Sequence, residues 1–228
     1  MRKLAIFAVV LVITQAIVGG LRVLLDNLHV AMVDTSVGRL FAMLHACLAQ
    51  LFVCTLIAIA VACTRGWIKG SATPVSDGVR RAGVVCCALL FVQLAIAAVV
   101  RHSFAGLAIP TFPFSTPEGG LLPAAWDFRV AMHFAHRVMA GIIGVAVLWF
   151  AVKLWGDRNA SLGLRTGASA LVSLVALQIL LGAQIIWTQR SAEMTTGHVL
   201  CGAFTLATTF WLTWLAHRDA VEKRWGKA

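Results

Sequence analysis

The chain has 228 residues, of which 60% are hydrophobic and only 12% are charged. Soluble domains contain a smaller fraction of hydrophobic residues than this. Apolar runs of about twenty residues, the length of a membrane-spanning helix, recur along the whole chain. The net charge of +10 does not indicate nucleic-acid binding, because the basic residues lie in alternate loops between the apolar runs, which is the membrane pattern.

Six segments are long and apolar enough to span a bilayer, and they predict an all-α polytopic membrane protein with six transmembrane helices. The segments are residues 4–21, 43–63, 83–100, 130–154, 167–187 and 195–215. Lys and Arg concentrate at the N-terminus, in the second and fourth loops and in the C-terminal tail. Both termini are therefore expected in the cytoplasm, with the first and third outer loops, residues 22–42 and 101–129, as the long ones.

An internal repeat runs through the six spans. A glutamine followed four residues later by a small residue recurs at matching depth in the odd spans: Gln15 with Gly19, Gln93 with Ala97, and Gln178 with Gly182. Each of these spans precedes a span with a histidine near its outer end: His45, His136 and His198. The chain is thus predicted to be three helical hairpins, and hairpin repeats in membranes often build a site at their interface.

The pair His136 and His198 predicts a heme site in this bundle. A heme iron takes axial imidazoles from rigid helices, with the flat ring in an apolar slot between them. Arg137 is placed to pair with a heme propionate. The alternative is that both histidines lie at the membrane interface and bind lipid headgroups or loop carbonyls.

The other polar residues of the spans leave more than one interpretation open. His133 lies one helical turn before His136, so both side chains are on one face of the helix. It is either a partner of the ligand, a proton relay or an alternative ligand, or simply a polar residue at the lipid–water boundary. Arg101 and Arg22 are expected to anchor at the interface or contact propionates. His45 is either half of a second heme site, completed by another chain, or the remnant of a lost repeat.

Absent features narrow the function classes. No nucleotide-binding or hydrolase motif is present in proper context, and no Asp or Glu lies within a predicted span, which argues against an ion-coupled transporter. All histidines except His217 lie toward the outer side. This clustering disfavours a transmembrane quinol or ferric reductase, because electron transfer across the membrane needs ligands at both depths.

Several stretches in this order match one known family. They are residues 15–23 (QAIVGGLRV), 45–50 (HACLAQ), 100–102 (VRH), 105–113 (AGLAIPTFP), 133–137 (HFAHR), the Gln178/Gly182 pair and 196–198 (TGH). In combination they resemble the heme A synthase family. Members of that family have eight spans in two pseudo-symmetric halves, of which the C-terminal half holds heme b and the N-terminal half takes heme O.

The resemblance implies a role for each of these residues. His136 and His198 would be the axial iron ligands of heme b, and His45 would be one iron-binding, catalytic histidine of the substrate side. The implied reaction oxidises a methyl group of heme O to the formyl group of heme A, for cytochrome oxidase assembly. The expected partners are the lipid bilayer, heme O and an electron donor that the sequence does not identify, with a bacterial inner membrane as the location.

The chain departs from the family in lacking the first two of the eight spans. Residues 1–70 then correspond to an N-terminal hairpin that remains of the substrate-side half, and residues 71–228 to a four-helix bundle that binds heme b. Three explanations are open. The sequence begins after the position of the first two spans, or a partner subunit or second copy supplies them, or the chain has kept heme binding and lost the oxidation. The last case makes it a non-catalytic heme b subunit or electron carrier.

Overall fold

A computed structural model describes residues 2–30, 35–70 and 73–225. Six long helices dominate it: α1 (Arg2–Leu24), α2 (Val37–Ala62), α4 (Asp77–His102), α5 (Phe128–Gly156), α6 (Leu162–Trp187) and α7 (Ala192–Ala216). Two short helices, α3 (Arg65–Lys69) and α8 (Arg218–Trp225), one 3₁₀ turn (Ala105–Leu107) and one two-residue strand pair, β1 (His29–Val30) with β2 (Thr35–Ser36), complete the described elements.

All six long helices have the length and apolar composition needed to cross a membrane, which confirms the predicted all-α polytopic membrane fold. The helices extend beyond the predicted apolar segments because polar capping residues lie outside them. The side chains of Asp127, Ser161 and Ser191 each accept a hydrogen bond from the backbone N–H three residues on. Such caps satisfy the free N–H groups of the first turn.

The first loop is shorter than the 22–42 segment that the sequence predicts, because α2 already begins at Val37. Ser36 supplies the reason: its hydroxyl accepts a hydrogen bond from Arg39 N at 3.1 Å and donates one to Asp26 Oδ1 at 2.6 Å. The cap starts the helix before the apolar run does, so Arg39 lies in the first turn of α2.

The buried core lies in the four helices α4, α5, α6 and α7, each of which packs on its neighbours in sequence, while α4 also packs on α7 and closes the bundle. The largest fully buried side chains include Phe150, Leu154, Leu171 and Leu212. Helix α1 packs on α2, and α2 packs on α4 and α7. The first hairpin is therefore attached to the bundle through α2.

At the end of the bundle where α8 lies, an ion pair and two hydrogen bonds to backbone carbonyls hold this helix in place. Arg80 Nη2 lies 2.7 Å from Asp219 Oδ1, and Arg218 donates to the carbonyl oxygens of Trp67 and Gly70, both at 2.7 Å. The α8 helix is thereby fixed to α3 and α4. The three histidines of the repeat lie toward the opposite end, which we call the histidine end.

Candidate functional site

The repeat has a common geometry in the three hairpins. Each glutamine lies nine residues before the last residue of its helix (24 − 15, 102 − 93 and 187 − 178). Its side-chain amide reaches the histidine of the following long helix. Gln15 Nε2 donates to the carbonyl of His45 at 3.2 Å, and Gln93 Nε2 donates to the carbonyl of His136 at 3.1 Å. The predicted hairpin repeat is thus a repeated contact between helices.

Glycine allows the imidazole of two hairpins to lie against the neighbouring backbone. A Cβ atom at Gly19 would be 3.1 Å from His45 Cε1, and one at Gly182 would be 3.2 Å from His198 Cε1. Both distances are tighter than ordinary carbon contacts, so the small residue of the motif makes room for the ring. In the α4–α5 hairpin the equivalent residue is Ala97.

His136 and His198 face each other across the bundle. Their ring centroids are 6.3 Å apart, with an angle of 60° between the ring planes. His198 Nδ1 lies 3.1 Å from the carbonyl oxygen of Gln178. A metal-binding histidine commonly donates its second N–H to such a carbonyl, which leaves the other ring nitrogen free to bind.

The residues between these rings fit a heme with two axial imidazoles. Two imidazoles on opposite sides of one metal have centroids roughly 6 Å apart, because each metal–nitrogen bond is about 2 Å long. Two side-chain atoms here, His136 Nδ1 and Gln178 Oε1, are buried without a hydrogen-bond partner among the described residues. Unsatisfied buried polar atoms are costly, so both atoms are available to interact with a further group.

The donor set at this position consists of two imidazoles. A heme iron needs only two protein ligands because its ring supplies the other four. The number of candidate ligands, His136 and His198, therefore matches what a heme requires. No cluster of three or more His, Cys, Asp or Glu side chains suited to a metal ion is found in the described ranges.

His133 and Arg137, predicted to contact the cofactor, hold the loop between α4 and α5. Arg137 Nη2 donates to the carbonyl oxygens of Ile109 at 3.0 Å and Thr111 at 2.7 Å, and Nη1 to that of Phe114 at 3.3 Å. The guanidinium also lies 5.7 Å from the centroid of the Phe112 ring. The loop is thus fixed to α5 at the residue that follows His136, and a propionate contact of Arg137 stays a prediction.

His133 is only 5% exposed, and its Nδ1 accepts a hydrogen bond from Ile109 N at 3.1 Å. Arg137 Nε also approaches His133 Nε2, at 3.4 Å. A neutral imidazole accepts at only one nitrogen, so the shorter bond from Ile109 determines its state. The structure gives His133 a role in holding the loop, and its role toward a cofactor stays a prediction.

The remaining predicted residues lie at or near the histidine end. His45 is partly buried in α2, with Nδ1 buried and without a partner among the described residues. Arg22 and Arg101 are exposed in the last turns of α1 and α4. The contact of these two guanidinium groups with propionates stays a prediction.

Sequence reasoning found the glutamine repeat but missed what the glutamines contact. It also missed that Gln178 differs from its two equivalents: its Nε2 lies 3.2 Å from the ring nitrogen Nε2 of His198. The sequence feature that could have indicated this contact is Gly202, four residues after His198. In the structure, a Cβ at Gly202 would lie 3.1 Å from Gln178 Nε2.

Six helices long and apolar enough to cross a membrane, arranged as hairpins that bring two histidine rings to a centroid distance of 6.3 Å, define a polytopic membrane protein with a bis-histidine candidate site. The family model of COX15-CtaA, the cytochrome oxidase assembly proteins, matches residues 1–210. The chain belongs to this family.

Curated relatives agree with this membership. The chain is similar to heme A synthases of Shouchella clausii (27% identical over 63% of this chain and 47% of the relative), Symbiobacterium thermophilum (31% over 50% and 36%) and Sphingopyxis alaskensis (33% over 56% and 37%). The alignments therefore span less than half the length of each of these relatives.

Proposed function

We propose that the chain is a heme A synthase-like oxidoreductase of the membrane, which takes heme O as its substrate and converts a methyl group to the formyl group of heme A. The observation that carries the proposal is the pair of facing imidazoles, 6.3 Å apart, in a chain of this family. The similarity to the three heme A synthases supports the same reaction class.

In this proposal His136 and His198 would hold the iron of a heme b. The bound heme would supply electron transfer during the oxidation. The chain holds the two imidazoles on separate rigid helices and directs His198 Nδ1 at the Gln178 carbonyl, which fixes the tautomer. The loop between α4 and α5 is hydrogen-bonded to Arg137 and His133, on either side of His136.

His45 is the proposed substrate-side ligand and the one catalytic residue that we assign. It shares one neighbour with each of the other two histidines: Gln15 donates to its carbonyl, as Gln93 does to that of His136, and Gly19 lies against its ring, as Gly182 does at His198. Arg22 and Arg101, exposed at the ends of their helices, bind the propionates of the porphyrins.

The proposed location is the bacterial inner membrane, with both termini in the cytoplasm and the heme site near the outer face. The basic loops support this orientation, since Arg65, Lys69, Arg80 and Arg81 lie at the end opposite to the histidines. The lipid bilayer is the environment, and an electron donor of unidentified nature is required. Nucleic acid has no part in the proposal.

A second candidate is a non-catalytic heme b subunit or electron carrier. It is favoured by the pairing of the repeats: the histidines of two of the three hairpins lie close together, and one cluster of buried hydrophobic residues runs through residues 75–216. We propose accordingly that residues 71–228 form the heme b bundle and residues 1–70 one hairpin of the substrate side. A further hairpin, from a partner subunit or a second copy, would complete the substrate site.

The test is a pyridine hemochrome spectrum of the purified protein, expressed with and without a source of heme O. Heme A that appears only when heme O is supplied establishes the enzyme. One heme b per chain without heme A supports the carrier. A chain without heme under both conditions overturns both candidates.

A further inference from the structure

One residue contacts both nitrogens of the His198 ring. The carbonyl oxygen of Gln178 lies 3.1 Å from Nδ1, and the side-chain Nε2 of the same residue lies 3.2 Å from the ring Nε2. A carbonyl oxygen only accepts, so Nδ1 must carry the proton, and the deprotonated Nε2 must accept from the amide. With the amide reversed, its oxygen would face a ring nitrogen that has no proton to donate. The two contacts together therefore fix both the tautomer and the orientation of the amide.

The equivalent glutamines do not do this. Gln93 and Gln15 donate to the backbone carbonyls of His136 and His45, and the Nδ1 atoms of these two histidines are buried without partners among the described residues. The α6–α7 hairpin thus differs from the other two in that its amide contacts the ring. The two candidate axial ligands are accordingly unequal.

Gly182 and Gly202 leave room for the contact between the Gln178 amide and the His198 ring. A Cβ at Gly182 would press on His198 Cε1 at 3.2 Å, and a Cβ at Gly202 would press on Gln178 Nε2 at 3.1 Å. The ring and the amide therefore fit closely against the backbones of α6 and α7. A small change at Gly202 would displace the amide and leave the ring in place.

We propose that Gln178 is a positioning residue for His198: it selects the Nδ1–H tautomer and, through its amide, satisfies the Nε2 lone pair until iron takes it. The inference rests on the proposed heme site. One lone pair cannot accept a hydrogen bond and bind a metal at the same time, so heme entry breaks the contact of Gln178 Nε2 with His198 Nε2. The contact of Nδ1 with the Gln178 carbonyl remains and keeps the ring oriented.

The inference predicts the direction of a binding change. Protein purified without heme is titrated with hemin in detergent, as wild type, Gln178→Leu and Gln184→Leu. Gln178→Leu removes a contact that binding must break, so the hemin Kd should fall about two- to tenfold, the range of one net hydrogen bond. Gln184→Leu, the same substitution in the same helix at a glutamine outside the site, should keep the wild-type Kd. A Kd for Gln178→Leu that is unchanged or raised overturns the inference.

A second measurement needs no heme. ¹⁵N spectra of histidine-labelled, heme-free wild type should show one imidazole, assigned to His198 by its loss in His198→Ala, as the Nδ1–H tautomer with Nε2 as a hydrogen-bond acceptor. Gly202→Ala should weaken that hydrogen bond and provides the test if Gln178→Leu does not fold. An Nε2–H tautomer for His198 contradicts the inference even if hemin binds. If wild type shows the predicted tautomer but binds no hemin, the proposed function is rejected. The two hydrogen bonds between Gln178 and His198 are then still supported.

Discussion

His136 and His198 form the proposed cofactor site, and substitution of either residue tests it. His198→Ala should remove the heme from the purified protein, because the iron loses the ligand whose tautomer the structure fixes. His29, exposed in β1, provides the matched control, and His29→Ala should keep one heme per chain. The optical spectrum in the Soret region measures both. An unchanged spectrum in His198→Ala would reject the axial assignment.

His45 separates the enzyme from the carrier. If it serves the substrate side, His45→Ala should keep the heme b spectrum of the wild type and form no heme A when heme O is supplied. Extracted hemes are measured by chromatography after growth with heme O. Loss of heme b in this variant would instead place His45 at the heme b site.

For single residues, the sequence indicates which side chains are candidates for the site but not what they contact. The glutamine and histidine repeat predicted that His136 and His198 share a depth, and the structure places their rings 6.3 Å apart. The roles of His133 and Arg137 in holding the loop could not be predicted, because their partners are backbone atoms more than twenty residues away in sequence. A backbone carbonyl leaves no signature in a side-chain pattern.

The loop between α4 and α5 is held chiefly through one guanidinium. Arg137→Lys keeps the charge but loses the fork that reaches three carbonyl oxygens, each worth about 1.5–3 kcal/mol as a charged hydrogen bond. Amide hydrogen exchange in residues 105–116 should accelerate about tenfold or more. Arg129→Lys, at an exposed position in α5, is the control and should leave exchange unchanged. Equal protection in both variants would show that the loop is held by other contacts.

The approach of α6 to α7 depends on a glycine. A Cβ at Gly167 would lie 2.6 Å from Leu212 Cδ2 and 3.1 Å from Trp211 Cζ3, and Leu212 is fully buried and cannot move aside. Gly167→Ala should therefore lower the free energy of unfolding by about 1–3 kcal/mol. The control on the same helix is Gly163→Ala, where the nearest atom is Ser161 Oγ at 3.8 Å. Thermal unfolding in detergent, followed by tryptophan fluorescence, compares them; equal Tm values would contradict the packing account.

Helix existence was readable from apolar length, but helix ends were not. Each apolar run predicted a helix, and the polar caps at Ser36, Asp127, Ser161 and Ser191 moved the starts outward into polar sequence. The short helices α3 and α8 also escaped prediction. They are stabilised by distant contacts such as Arg218 to the Trp67 carbonyl, which a local pattern does not contain.

For the whole molecule, the asymmetry of charge predicts its orientation. Basic residues concentrate at the end opposite to the histidines, so both termini should lie in the cytoplasm and the heme site near the outer face. A green fluorescent protein fused to the C-terminus should fluoresce, and an alkaline phosphatase fused there should be inactive. The reverse pattern would invert the topology and place the heme site near the inner face.

The proposed heme between His136 and His198 is tested by the low-temperature electron paramagnetic resonance spectrum of the oxidised, purified protein, with iron and heme counted per chain. A low-spin ferric signal of bis-imidazole type is expected at one heme per chain, lost in His198→Ala and kept in His29→Ala. A signal that persists in His198→Ala, or a wild-type protein without heme iron, would contradict the proposed site.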